Sequence, residues 1–247
     1  MNQALEIHPE NKQTKLGPIP VDWEVVKVSD VGDIITGSTP PTKQAEYYGG
    51  THLFVSPADL GEKKYVTNTS KTLSNLGFSK TRLIPKGSPM VTCIGSTIGK
   101  MGLASTDLAT NQQINSVDVN KLNDPEFIYY ILLSKADFIK GLAGTHAVPI
   151  INKTSFSDID IPLPPLPEQK KIAEILSTVD DKIDSIEQEI ERVKTLKKGL
   201  MQKLLTGQIS VTGTPHEFKD SKLGKIPESW EVLSLFNLTK EKISYGI

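Results

Sequence analysis

Apolar residues recur with a heptad period along residues 168–205. Their spacing alternates between four and three residues, and the positions are Ile172, Leu176, Val179, Ile183, Ile186, Ile190, Val193, Leu200 and Leu204. The one position of this series that is not apolar holds Lys197. A period of 3.5 residues is typical of a helix that packs against another helix. We therefore predict a single long helix whose heptad residues form a dimer interface.

The charges along this helix favour an antiparallel pair. From Glu168 to Glu191 there are eight acids and three bases, whereas the segment from Arg192 to Leu205 holds five bases and no acid. Two antiparallel copies would place the acidic half against the basic half, while two parallel copies would oppose like charges. A surface helix packed on its own domain remains the alternative, although the apolar stripes of such helices are usually wider and shorter.

Upstream of this helix, short strand-like and helical patterns follow one another. Trp23–Val28 is strand-like, residues 37–41 read as a loop, and further strand-like segments lie within residues 52–60, 88–95 and 109–119. A second helix is predicted to begin at Asp124–Pro125 and to end at Gly141 and Gly144. This order predicts an α/β (α+β) domain followed by a single long coiled-coil helix.

A proline-rich segment precedes the long helix, with prolines at Pro162, Pro164, Pro165 and Pro167. Such a density of proline favours a stiff, extended connector. At the other end of the helix, Gly207 is predicted to terminate it. The chain is therefore expected to divide into a mixed domain, a connector, a dimerisation helix and a further segment, at residues 1–161, 162–167, 168–206 and 207–247.

The further segment repeats the beginning of the chain. Residues 222–232, KLGKIPESWEV, match residues 15–25, KLGPIPVDWEV, at eight of eleven positions and at an offset of 207 residues. The repeat predicts one complete unit of domain and helix, followed by the opening of a second unit. We expect the tail from about Val211 to be poorly ordered or to be held by a neighbouring molecule.

The distribution of charge, rather than its sum, indicates a polyanionic partner. The formal net charge is -1, yet the segment from Lys63 to Thr106 holds seven bases and no acid. A local basic stretch of this kind is typical of a surface that binds nucleic acid. A lysine-rich surface that is simply solvated is the alternative.

Cysteine usage and hydropathy indicate the compartment. Cys93 is the only cysteine, so no intrachain disulfide can form, and a cytoplasmic location is expected. The polar N-terminus has no signal-peptide pattern, and no apolar run is long enough to span a bilayer. We expect no contact with a membrane.

No catalytic or metal-binding pattern is evident. The loop Gly95–Lys100 resembles a phosphate-binding loop, but its glycines are one residue too close and Met101 stands where Ser or Thr would hold magnesium. The histidines are scattered, and no nucleophile-elbow pattern occurs. We therefore expect no catalytic residue, no metal site and no cofactor bound by this chain.

Six segments resemble one known family. PLPPLPEQKKIAEIL (162–176) and LKKGLMQKLLTGQI (196–209) are similar to the conserved regions of type I restriction-modification specificity (S) subunits. Four further segments are similar to the recurring motifs of that family's target recognition domains, namely GPIPVDWEV, TGSTPP, CIGSTIGK and ATNQQI. The resemblance extends from about Lys15 to the end of the chain.

The resemblance implies a non-catalytic DNA-recognition subunit. Such a subunit normally has two target recognition domains, each reading half of a bipartite DNA site, and two conserved helices that pair antiparallel as a spacer. The helices also dock methyltransferase (M) subunits, which methylate adenine with S-adenosylmethionine, and a restriction (R) subunit uses ATP and Mg²⁺. This chain holds one domain and one helix, so the resemblance implies a homodimer that reads an inverted repeat in double-stranded DNA.

Candidate DNA-binding residues follow from the chemistry of readout. Lysine and arginine neutralise phosphates, while amides and hydroxyls address base edges. The candidates are the glycine-rich loops Gly37, Ser38, Thr39 and Gly95, Ser96, Thr97, the bases Lys43, Lys80, Arg82 and Lys100, the amides Asn111, Gln112 and Gln113, and the loop residues Thr145 and His146. The two glycine-rich loops would let the backbone approach the duplex. A buried, hydrogen-bonding strand is the alternative for residues 111–113.

Two other functions remain open from the sequence. A stand-alone dimeric DNA-binding regulator would use the same domain without modification subunits. An enzyme with an unrecognised nuclease or methyltransferase site is the third possibility. Binding of a methyltransferase subunit separates the first two, and catalysis by the purified chain would support the third.

Overall fold

The structure is a computed structural model that describes residues 10–144, 148–214 and 216–238. Its contacts divide the chain into two compact units, which meet at Asp180 and Asp181. The first unit contains all of the sheets except one hairpin, and the second contains the end of the long helix and that hairpin.

The strands of the first unit are β1 (Asn11–Thr14), β2 (Gly17–Pro20), β3 (Glu24–Lys27), β4 (Gly32–Thr36), β5 (Tyr48–Val55), β6 (Tyr65–Val66), β7 (Lys71–Leu73), β8 (Pro89–Thr92), β9 (Met101–Ala104), β10 (Ala109–Thr110), β11 (Ile114–Val119) and β12 (Asp160–Leu163). The helices are α1 (Val28–Val31), α2 (Asn75–Phe78), α3 (Pro125–Ser134), α4 (Ala136–Gly141), α5 (Lys153–Ser157) and α6 (Leu166–Leu205). Short 3₁₀ turns lie at Ala45–Tyr47 and Pro57–Asp59. A mixed domain followed by one long helix is confirmed.

The largest sheet of the unit has five strands in the order β4-β11-β8-β9-β6. β11 pairs antiparallel with both β4 and β8, and β8 pairs antiparallel with β9. Every residue of β8 and β9 is buried, which suits their nearly continuous apolar sequences. Because these pairings are antiparallel, the last residues of β4 and β8 lie beside the first residues of β11 and β9. The loops that follow β4 and β8 and the loop that precedes β11 therefore meet at this end of the sheet. We call this the loop end of the sheet.

A helical layer closes the core of this sheet. Ile128 and Leu132 of α3, Ile139 of α4 and Phe156 of α5 are fully buried among the apolar residues of the strands. Burying side chains of this size contributes roughly 1.5–3 kcal/mol each, so this cluster is a main source of the unit's stability. β10, β5 and β7 form a second sheet, in that order.

The predicted second helix begins as expected but is interrupted. The Asp124 carboxylate accepts a hydrogen bond from the Phe127 amide, and Pro125 opens the helix. At Ser134 the hydroxyl donates to the Ile131 carbonyl at 2.8 Å, and the Lys135 amide bonds to Leu132 instead. A serine that bonds back to the preceding turn bends a helix. The single predicted helix is therefore two, α3 and α4.

The proline-rich segment lies partly within regular secondary structure. Its first two residues belong to β12, where Pro162 is paired with Val25 of β3. Proline is tolerated there because each strand of a two-stranded sheet has an open edge. Its last two residues, Leu166 and Pro167, already belong to α6. The division of the chain at residues 161, 167 and 206 stays a prediction.

The second unit contains a small structured segment after α6. Strands β13 (Phe218–Ser221) and β14 (Gly224–Pro227) form an antiparallel hairpin, and helix α7 (Leu235–Leu238) follows. The expectation of poor order from about Val211 is wrong for this hairpin, and residues 239–247 lie outside the described residues. None of the helices in the described ranges is both long and apolar enough to cross a membrane.

Candidate nucleic-acid interface

Three of the predicted DNA-binding segments meet at the loop end of the sheet. The Gly37 amide donates to the Ile114 carbonyl at 3.0 Å, and the Ser38 amide donates to the Thr110 carbonyl at 2.9 Å. The hydroxyl of Thr39 donates to the side-chain oxygen of Gln112 at 2.7 Å. Residues 37–39 and 111–113 are therefore one continuous surface, although more than 70 residues separate them in the sequence.

Gly37 has a packing role rather than the predicted approach to DNA. It is buried, and a Cβ atom at this position would come within 2.1 Å of the Thr110 hydroxyl and 2.2 Å of the Asn111 carbonyl. Only glycine lets the two backbones come this close. Of this loop, Thr39 is the residue with an exposed side chain, and it is the one available for contact with a duplex.

Residues 111–113 form a turn and not the buried strand of the alternative interpretation. The Asn111 side chain accepts from the Gln113 amide at 3.0 Å and donates to the Gln113 side chain at 2.9 Å. Asparagine commonly stabilises a turn through a bond of this kind to the residue two positions on. Asn111 and Gln113 thus shape the turn and are half-buried, whereas Gln112 is exposed at its tip.

The loop between β8 and β9 lies beside this turn. The Gln113 side chain donates to the Ile94 carbonyl at 3.4 Å. Gly95 has a φ of 96°, a conformation that L side chains rarely adopt. Ser96 is exposed and Thr97 is half-buried.

Residues 148–151 join the same surface. The Gly95 amide donates to the Pro149 carbonyl at 3.0 Å, and the Ile151 amide donates to the Cys93 carbonyl at 2.8 Å. The predicted DNA-binding residues Thr145 and His146 lie outside the described residues.

Arg82 is the basic residue most firmly attached to the loop end. Its amide donates to the Ser38 hydroxyl at 3.0 Å, and its guanidinium donates to the Thr36 carbonyl at 2.8 Å. Lys80, two residues before Arg82, is exposed in the turn after α2, and Lys43 is exposed in the loop after Pro41. Lys100 immediately precedes β9, and its carbonyl accepts from the Thr92 amide at 2.9 Å. The fixed guanidinium and the exposed lysines supply the charge that phosphates require.

One base of the predicted basic stretch has a different role. The Lys64 ammonium lies 2.7 Å from a Glu126 carboxylate oxygen, and its side chain is only 11% exposed. It cannot neutralise a phosphate in this position. The other members of the stretch are exposed, namely Lys63, Lys71, Lys80, Arg82, Lys86 and Lys100.

Sequence reasoning missed apolar residues beside the loop end. Leu83 is 47% exposed next to Arg82, and Val148 and Ile150 are 56% and 50% exposed next to Gly95. Apolar side chains can contact the methyl group of thymine in the major groove. Leu83 could have been noticed as the neighbour of Arg82. Ile150 carried no such signal, because only its bridge with Ile94 brings it here.

Cys93 is buried beneath the loop end of the sheet. Burial raises the pKa of the Cys93 thiol to about 12, so the thiol is protonated and unreactive. Within the described ranges, no three residues of the types that hold metals are grouped in space.

Most of the predicted dimer residues expose their apolar side chains. The exposed fraction lies between 38% and 54% for Leu176, Val179, Ile183, Ile186, Ile190, Val193 and Leu200. Leu204 is half-buried, and Ile172 is half-buried against the core of the domain. Leu196, Met201 and Leu205 are also exposed, so the apolar band is wider near the end of α6 than the heptad pattern indicates. Within the part of the chain that the structure describes, nothing covers the exposed residues of this band, and the dimer stays a prediction.

Several known proteins are similar to this chain. The MjaIX and MjaVIII type I restriction enzyme specificity subunits of Methanocaldococcus jannaschii are 29% and 32% identical over 94% and 88% of this chain, and over 55% and 49% of their own lengths. The HindI specificity subunit of Haemophilus influenzae is 33% identical over 77% of this chain and 42% of its own length. The chain thus spans about half the length of the curated relatives it matches.

Solved structures share the fold. The HsdS subunit from Thermoanaerobacter tengcongensis aligns over 77% of this chain and 46% of its own, with a TM-score of 0.54 and 19% identity. The type I restriction-modification S subunit from M. genitalium aligns over 74% and 45%, with a TM-score of 0.53 and 22% identity. A sequence model of one family, the type I restriction modification DNA specificity domain, matches residues 20–195. The resemblance predicted from the sequence is confirmed: this chain belongs to the type I restriction modification DNA specificity domain family.

Proposed function

We propose that this chain is a non-catalytic DNA-recognition subunit of a type I restriction-modification system, acting as an antiparallel homodimer. The observation that carries the proposal is the loop end of the sheet, where three predicted DNA-binding loops and Arg82 form one surface in a member of a DNA specificity family. The curated relatives are named as type I restriction enzyme specificity subunits, which supports the same role.

The loop end would read the duplex with its exposed polar side chains. Thr39 and Gln112 are hydrogen-bonded to each other and stand at the surface, so they are preorganised to address a base edge. Arg82 and the exposed lysines around it would contact phosphates and set the position of the domain on the duplex.

The apolar band of α6 would hold a second copy of the chain. An antiparallel pair centred near Gln188 would place Ile183 opposite Val193 and Ile186 opposite Ile190, and would bury residues that are about half exposed in one chain. It would also oppose the acidic and basic halves of the helix.

Such a dimer would read the same half-site twice. A twofold dimer presents two identical domains in opposite orientations, so its target would be an inverted repeat with a fixed gap. We infer that the complex also contains M and R subunits, which would carry S-adenosylmethionine and ATP with Mg²⁺ and act in the cytoplasm. The family membership supports this assembly.

The DNA-binding part is tested by the salt dependence of binding. Each lost phosphate contact lowers the slope of log affinity against log salt by about 0.9. The Lys80→Ala/Arg82→Ala variant should bind any duplex more weakly and should lose about two units of slope for each bound domain, which is about four for a dimer that uses both domains. The matched control, Lys222→Ala/Lys225→Ala, removes two exposed bases of the second unit and should behave as the wild type. An unchanged slope for the first variant would place the DNA surface elsewhere.

The dimer is tested by adding charge to the apolar band. Ile183→Asp/Ile190→Asp would bury four unpaired carboxylates in the dimer, so sedimentation should give a monomer. The control Gln188→Asp/Thr195→Asp adds the same charge to the opposite face of the helix and should remain dimeric. A methyltransferase subunit should co-purify with the wild type, and DNA binding without it would favour a stand-alone regulator.

A further inference from the structure

A cluster of polar residues joins the domain to the first turns of α6. The Lys64 ammonium lies 2.7 Å from Glu126 Oε2, 2.6 Å from Ser177 Oγ and 3.2 Å from Tyr130 Oη. Lys64 belongs to the end of the loop before β6, Glu126 and Tyr130 belong to α3, and Ser177 belongs to α6. We call these residues, together with Tyr65 and Asp180, the junction cluster.

Two tyrosines complete the cluster. Tyr130 donates to Asp180 Oδ2 and Tyr65 donates to Glu126 Oε1, each at 2.5 Å. Burial, together with the hydrogen bond to Glu126, raises the pKa of Tyr65 to about 12. Burial alone would raise the pKa of Glu126, but hydrogen bonds from Lys64, Ser177 and Tyr65 outweigh it and lower the pKa. At neutral pH, one cation is therefore held beside a charged carboxylate and protonated phenols.

A second point of attachment lies earlier in the same helix. Gln169 is 1% exposed, and its side chain accepts from the Asp124 amide at 2.9 Å and donates to Asn123 and to the Pro164 carbonyl at 3.0 and 2.9 Å. Residues 169, 173, 177 and 180 follow one another at steps of four and three, so they share one face of α6. The helix is thus held against the domain at two places about three turns apart.

The chemistry of the cluster specifies a geometry more than it adds stability. A partly buried ion pair recovers little beyond the cost of removing its charges from water, but separating the pair leaves the Lys64 ammonium, whose side chain is only 11% exposed, without its carboxylate partner. A different angle between α6 and α3 would separate Lys64 from Ser177, and Tyr130 from Asp180. The domain and the start of the helix are therefore held in one arrangement.

We propose that the junction cluster is a positioning device that sets the angle at which α6 leaves the domain, and through it the gap between the two half-sites. This inference rests on the proposed antiparallel dimer. A tilt of about 10° acting over the roughly 36 Å from Asp181 to Leu205 moves the far end by about 6 Å. That is close to two base pairs, at about 3.4 Å each. The angle is accordingly a determinant of which gap is bound.

The first experiment measures the gap directly. Selection from random duplexes with the wild-type chain defines the half-site, and a panel of duplexes with the half-sites at different gaps is then bound by each variant. The Tyr130→Phe/Asp180→Asn variant keeps the shapes of both side chains but loses the bond between them. The wild type should bind the duplex with its preferred gap at least tenfold more tightly than duplexes with neighbouring gaps. For the variant this preference should be threefold or less. The variant's affinity for a duplex that holds a single half-site should be unchanged. Asp181→Asn removes the neighbouring exposed charge and should keep the wild-type preference.

The second experiment needs neither DNA nor a dimer. Spin labels at Leu122→Cys, on the domain, and at Glu191→Cys, on α6, report the distance between them in chains diluted with unlabelled protein. The wild type should give one narrow distribution of distances, and Tyr130→Phe/Asp180→Asn should broaden it at least twofold. Equal widths in the two proteins would overturn the proposal. A wild type that shows the narrow distribution but binds no duplex would contradict the proposed function and leave the positioning role intact.

Discussion

The two copies of the repeat begin with the same structure. The first hairpin pairs Asn11–Thr14 with Gly17–Pro20, and the second pairs Phe218–Ser221 with Gly224–Pro227, in the same register. The hydroxyl of Thr14 donates to the Gly17 carbonyl at 2.7 Å, and that of Ser221 donates to the Gly224 carbonyl at 2.6 Å. Only the local sequence is common to the two places, so the local sequence determines the hairpin.

The same two copies diverge after the tryptophan. In the first, β3 pairs with β12, and the following residue Val28 is completely buried in the core. In the second, Glu231–Ser234 are not in a strand, and Leu235, the counterpart of Val28, is 69% exposed. A turn closes through neighbouring residues, whereas a strand needs a partner strand and a core. The comparison therefore shows, within one chain, that the hairpin forms from local sequence whereas the following strand forms only with tertiary contacts.

A charged side chain at the buried position 28 should have the largest effect on stability. Val28→Asp places a carboxylate without a partner in the core and is expected to lower the free energy of unfolding by about 3–5 kcal/mol. Leu235→Asp, at the matching place in the second copy, should change it by less than about 0.5 kcal/mol, since that side chain is already in water. Denaturant unfolding of both variants measures the difference, and equal losses would show that Leu235 is packed in solution.

Substitution of the two tryptophans should also affect stability unequally, but by a smaller amount. Trp23 Nε1 donates to Glu168 Oε2 at 3.0 Å, which ties the first copy of the repeat to the start of α6. Trp23→Phe removes this bond to a charged group and is expected to cost about 1.5–3 kcal/mol. Trp230→Phe should be nearly neutral, because Trp230 has no side-chain hydrogen bond within the described ranges and is 37% exposed. Melting temperatures of the two variants give the comparison, which fails if Trp230→Phe is the more harmful change.

Substitution of the glycines in the two hairpin turns should have the smallest effect on stability, and the effect should be equal in the two copies. Gly17 and Gly224 have φ angles of 94° and 91°, and each has open space where a Cβ atom would lie. Alanine at either position therefore meets only the backbone penalty, about 1 kcal/mol. Hydrogen exchange at the Val21 and Glu228 amides, which close the two hairpins, should accelerate to a similar degree in the respective variants. A large difference between them would mean that a tertiary contact supports one hairpin.

The candidate site was only partly predictable from the sequence. Glycine-rich and amide-rich segments marked the three loops, because the chemistry of readout restricts the residue types. The roles within the loops were not predictable. Gly37 packs against Thr110, and Asn111 with Gln113 shapes a turn, so the exposed Thr39 and Gln112 are the residues that present themselves to a partner. Lys64 looked like its basic neighbours in the sequence, although its side chain is only 11% exposed and forms an ion pair with Glu126.

The sequence by itself determined the family, the long helix with its apolar band and the repeat of residues 15–25 at residues 222–232. Each of these depends on spacing within a short stretch of chain, where helical periodicity and turn chemistry act between near neighbours. Only the tertiary structure decided that β3 forms, that Lys64 pairs with Glu126 and that residues 37–39 meet residues 111–113. Those outcomes depend on partners that lie between 62 positions away, for Lys64 and Glu126, and 139 positions away, for Glu24 and Leu163. Whether such partners meet is decided by the packing of the whole domain.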